Sequence, residues 1–151
     1  MDSDGNEEAN IQQMVTVILD SGTETGIPAE PRSVTVSSVA GGKIEVEFLY
    51  DPYYEENGPG IAEEARIYWD DGTGTMDWSS PHATVSLGGP TEADRYTWES
   101  AALTDGTEYQ FTVRIASDVH PAGIETENTD THVATPDSDV PATPALEAEV
   151  I

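Results

Sequence analysis

Apolar and polar residues alternate with a period of two along most of this chain, the pattern of strands with one buried and one wet face. The cleanest run is 43–50, where Ile44, Val46 and Phe48 alternate with Lys43, Glu45 and Glu47. Tyr109, Phe111, Val113 and Ile115 repeat the pattern after the acidic turn Thr104-Asp105-Gly106. Ala65, Ile67 and Trp69 predict another strand with Tyr68 on its opposite face, and Tyr96 and Trp98 share one face of 95–99. Val34 and Val36 mark an earlier strand, 76–78 and 83–87 two short ones, and 125–134 a final, polar edge strand. A β-branched run at 11–19 precedes all of these. Ala40-Gly41-Gly42, Asp70-Asp71-Gly72-Thr73-Gly74 and Gly88-Gly89-Pro90 separate the runs with residues suited to tight turns. Seven or eight short strands and no helical period predict an all-β sandwich.

Charge changes the list of partners. Thirty acidic residues against five basic ones give a net charge of −25. That field repels phosphate, so neither nucleic acid nor an anionic membrane surface is expected as a partner; divalent cations, a basic patch on a partner, or a solvated acidic surface with no partner are the readings left. There is no cysteine, which excludes disulfides, thiolate nucleophiles and sulfur metal sites. The N-terminal stretch is acidic, its first basic residue is Arg32, and the apolar run 14–19 is too short for a secretion signal or a membrane span. Synthesis in the cytosol, without membrane insertion, is the expectation.

The spacing Leu103-x-x-Gly106-Thr107-x-Tyr109-x-Phe111-x-Val113 resembles the E–F corner and F strand of fibronectin type III domains. Pro28, Pro31, Val34 and Val36 resemble the opening of such a module, Ile67 and Trp69 its third strand, and Ala134-Thr135-Pro136 its exit. Phe48 stands where the family usually ends its second strand on tryptophan. The resemblance implies one module over residues 28–136, with an acidic tail at 1–27 and a Pro- and Asp-rich tail at 137–151. It gives Tyr109 a mechanical role, its ring in the core and its hydroxyl on backbone near the corner. Phe48, Trp69, Trp98, Leu103, Gly106, Phe111 and Val113 are then structural residues.

Candidate chemistry is sparse. No Gly-x-Ser-x-Gly, His-Glu-x-x-His or Gly-rich phosphate loop occurs, and His82, His120 and His132 fall on separate predicted loops or edges. No catalytic residue and no cofactor is assigned. Calcium is the one ion considered, with Asp70 and Asp71 as candidate oxygen donors and turn formation as the competing role. Tyr53, Tyr54 and Trp78 lie in irregular stretches, where they either contact a partner or a sugar ring or collapse onto the sandwich.

Both tails look like orphan strands. Val140-Pro141-Ala142-Thr143-Pro144 repeats the lead-in Ile27-Pro28-Ala29-Glu30-Pro31, and 145–151 then alternates again. A lone strand cannot pair its backbone or bury its apolar side, so the tails are expected to add as strands to neighbouring subunits. Ile11, Met14, Val15, Val17, Leu19, Leu146 and Val150 are the candidate contact residues. The expected function is a non-enzymatic structural module of a larger assembly, similar to accessory modules of bacteriophage virion proteins. A bacterial filament or adhesion subunit and a carbohydrate-binding accessory module are the alternatives.

Overall fold

The computed structural model describes residues 28–54, 62–117 and 124–142. Its strands are β1 (Arg32–Val39), β2 (Lys43–Tyr50), β3 (Glu64–Trp69), β4 (Ala83–Ser86), β5 (Asp94–Glu99), β6 (Tyr109–Ser117), β7 (Ile124–Glu125) and β8 (His132–Ala134). One sheet has the order β1-β2-β5; the other runs β4-β3-β6-β7, with β8 also pairing with β6. Every pairing is antiparallel. The chain is an all-β, immunoglobulin-like sandwich, and no α-helix occurs among the described residues.

Alternation decides which side chains meet between the sheets. Ile44, Val46, Phe48 and Tyr50 of β2 are sealed from solvent, and they share one core with Ala65 and Ile67 of β3 and Phe111, Val113 and Ile115 of β6. Each large apolar side chain buried this way contributes about 1.5–3 kcal/mol. β2 and β6 are the central strands of their sheets, and their inward residues are the most completely covered. Trp69 and Trp98, expected in the core, pack against it but are only partly buried, because β3 and β5 lie toward one flank.

The turn before β6 brings Gly106 and Tyr109 together. Gly106 has φ of +79°, and the buried Tyr109 accepts the Thr104 N–H on its hydroxyl at 3.3 Å. Gly72 brings the β3–β4 turn onto the same ring. A β-carbon there would lie 2.9 Å from Thr107 Cγ2 and 3.2 Å from the Tyr109 ring, at φ of +72°.

Two expected strands are corrected. Residues 76–78 form no strand; Trp78 instead turns outward from an irregular connection. The run 125–134 breaks into β7 and β8 because residues 126–130 use side chains in place of a ladder. Thr126 Oγ1 accepts the Ile115 N–H at 3.0 Å, and Asn128 Nδ2 donates to the Val113 carbonyl at 2.9 Å. Thr and Asn readily substitute for backbone partners in this way, which locally replaces strand pairing.

The ends of the module are tied in. Pro28 and Ala29 are buried against the sandwich, Ala29 within the core cluster itself. After β8, Pro136 is fully buried and its carbonyl accepts the Gly106 N–H at 3.1 Å. Asp137 N–H donates to Ser38 Oγ at 3.0 Å, Ser138 N–H donates to Asp105 Oδ1 at 3.0 Å, and the Ser138 hydroxyl donates to Asp105 Oδ2. The sequence-based contact residues Ile11, Met14, Val15, Val17, Leu19, Leu146 and Val150, and His120, lie outside the described residues.

Candidate functional site

Asp70 sits at the end of β3, 2% exposed. Its Oδ1 accepts the N–H groups of Gly72 (2.9 Å) and Gln110 (3.0 Å), and Oδ2 accepts that of Gly74 (2.9 Å). Three backbone amides thus point their positive ends at the oxygens a cation would need. Asp70 is a staple that closes the turn and ties it to β6; Asp71 is exposed in the left-handed region at φ of +52°. Turn formation accounts for both aspartates, and no cluster of three or more metal-ligating side chains occurs among the described residues.

Tyr53, Tyr54 and Trp78 do not converge. Tyr53 and Tyr54 follow β2, where the Arg32 guanidinium lies 4.5 Å from the Tyr54 ring centre. Trp78 belongs to the outer face of the β3–β6 sheet. There it stands 5.4 Å from Tyr68, ring centre to ring centre, with the Arg114 guanidinium 4.0 Å above it.

That outer face carries a network which pattern reading did not single out. Arg66 and Arg114 oppose each other across the β3–β6 ladder, and Tyr68 opposes Thr112. Glu125 of β7 bridges both arginines, at 3.0 Å to Arg66 and 3.1 Å to Arg114, and accepts the Tyr68 hydroxyl at 3.0 Å. Glu64 takes Arg66 Nε at 2.7 Å. Burial, then the bond to Glu125, pushes the Tyr68 hydroxyl above its ordinary pKa. The arginines are neutralised in place, so the cluster locks Trp78 down over Tyr68 and contributes cation–π stacking more than free charge. Only the outward side of the β3 and β6 alternation hinted at it.

The flank between β4 and β5 is the third candidate. His82, just before β4, stacks on Trp69 with ring centres 3.7 Å apart and meets Trp98 edge-on at 5.5 Å. Burial against these rings holds the His82 pKa below its ordinary range, with the charge of Asp71 opposing. β4 and β5 belong to different sheets and do not pair with each other, so these rings lie between two sheet edges. His82 lies on this flank and His132 on the opposite one, in β8, so the two histidines are not brought together.

A hollow of about 370 Å³ lies where the exit passes Ser38, Val39, Glu45 and Glu99. Nothing in its lining joins a nucleophile to a base.

No family model matches the chain, and no curated protein does. Among solved structures it is similar to the CARDB domain of a Pyrococcus furiosus protein, crystallised in complex with di-metal ions. That likeness has 19% identity and a TM-score of 0.37, and spans 74% of this chain and 92% of that domain.

Proposed function

We propose that this chain is a non-enzymatic structural module of the fibronectin type III kind, built into a larger protein assembly as a virion accessory or decoration protein. The type III part is supported by the strand order β1-β2-β5 against β4-β3-β6-β7/β8 and by the Tyr109 hydroxyl held at the corner. The observation that carries the assembly reading is the open flank. On a chain of net charge −25, the stretch 79–91 that contains β4 has no Asp, Glu, Lys or Arg. An uncharged strand edge with half-covered aromatic neighbours suits a protein partner better than a small polar ligand. The virion context is drawn from composition and fold by analogy. The carbohydrate reading loses its aromatic platform, since Trp78 stands apart from Tyr53 and Tyr54, and the calcium-stiffened adhesin loses Asp70 to the turn.

Sedimentation tests the reading. The intact 16.2 kDa chain is expected to self-associate as concentration rises, and a version spanning residues 28–142 to stay monomeric. Two monomers at every concentration would contradict it.

A further inference from the structure

The sandwich is least finished along β4. Ala83 and Val85 of β4, Trp69 of β3, and Tyr96 and Trp98 of β5 pack against the core but stay partly exposed. Among the described residues β4 pairs with β3 alone. Leu87 N–H donates to the Glu63 carbonyl at 2.8 Å, so the backbone groups of Val85, two residues earlier, also face β3. Those of Thr84 and Ser86 therefore face outward, unpaired by β3. The two edges of the other sheet are managed differently. β1 lies against β8 and is tied there through Ser38. β5 carries Asp94, Arg95 and Glu99, the charged residues that guard an edge from strand addition.

An acidic strand would be repelled from any edge of so acidic a protein. Residues 11–19, Ile-Gln-Gln-Met-Val-Thr-Val-Ile-Leu, carry no charge, and Ile11, Val15, Val17 and Leu19 share one side of an extended chain. We propose that residues 11–19 of a second copy pair antiparallel with β4, laying Val15, Val17 and Leu19 over Ala83, Val85 and Trp98. This rests on the assembly reading above and names its partner.

Direction favours a second copy over the same chain. β4 ends beside Glu64, at the pole where β2 ends opposite Asp94 and where β1 begins. The eight residues 20–27 that join Leu19 to Pro28 span at most about 30 Å. Within one molecule, the direct path from Leu19 to Pro28 has 11–19 running toward that pole, parallel to β4. Parallel pairing is the weaker form, and no pair among the described residues uses it. Because donor segment and acceptor edge are different surfaces, the contact is head to tail and propagates into a ring or filament.

The test uses full-length chains in sedimentation velocity. Thr16→Pro removes from the donor an N–H that faces β4, since the residues opposite Thr84 and Ser86 are the even-numbered ones when Val15, Val17 and Leu19 face inward. Thr84→Pro removes one from the acceptor edge without touching the β3–β4 bonds, and Ser86→Pro is a second acceptor variant. Each is expected to weaken self-association about 100-fold. An equimolar mixture of Thr16→Pro, which keeps its edge, and Thr84→Pro, which keeps its donor, is expected to form a one-to-one dimer and stop there. Assembly unchanged in all three variants would overturn the inference and leave the assembly reading standing. A mixture that stays monomeric would also overturn it. A monomeric parent chain would remove both.

Discussion

The two flanks of the sandwich solve the same problem in opposite ways. On the β1–β8 flank the chain doubles back: Pro136 is buried, and Asp137 and Ser138 are bonded to Ser38 and Asp105. Gly42 makes the crowding possible, since a β-carbon there would lie 3.2 Å from Asp105 Oδ1 at φ of +70°. On the β4–β5 flank nothing comparable crosses the seam among the described residues, and aromatic rings stack in its place. A closed flank spends its backbone groups on its own chain. An open one leaves them unpaired by its described neighbours, and the proposed assembly rests on that difference.

The largest expected effect falls on the turn that leads from β3 toward β4 and is tied to β6. Asp70→Ala leaves three backbone N–H groups without their carboxylate, at a cost of about 3 kcal/mol in urea unfolding. An unchanged midpoint would show that the turn does not need its staple. Next, Asp105→Ala frees Ser138 on the closed flank and is expected to cost about 1 to 2 kcal/mol. Faster amide exchange should then appear at Asp137 and Ser138 but not in β4; loosening of both flanks together would erase the contrast between them.

Tyr109→Phe is smaller, about 1 kcal/mol, because the 3.3 Å bond to Thr104 N–H is its only loss and the ring stays. Self-association should be untouched, and its disappearance with stability intact would mean that the corner has a binding role. The smallest effect is a pH dependence on the open flank. His82 has a folded pKa below its ordinary 6.5, so the folded chain holds fewer protons than the unfolded one as pH falls. Stability is therefore fully present above the ordinary histidine range and declines as pH drops toward the lowered value. Following the imidazole resonances of wild type and His82→Phe by NMR checks this; a midpoint at or above 6.5 would contradict it.

Much of the fold was legible because alternation and turn residues are local signals. The β2 and β6 patterns and the Leu103–Tyr109 spacing carry their own geometry. Residues 126–130 misled because Thr126 and Asn128 look like strand residues but pair backbone through their side chains. Trp69 and Trp98 looked like core because size predicts burial, whereas flank position sets how much of each is covered. The Arg66–Glu125–Arg114 network was illegible for a different reason: its members are far apart in sequence, and only the β3–β6 register aligns them. The same holds for the uncharged β4 edge, which gains meaning only once its neighbours are known.

The most direct measurement is amide exchange across a dilution series of the intact chain. Pairing at the open flank predicts that Thr84 and Ser86 become protected as concentration rises, while Arg95, Thr97 and Glu99 on the guarded β5 edge do not change. Protection that appears on β5 instead, or that is independent of concentration at Thr84 and Ser86, would contradict it.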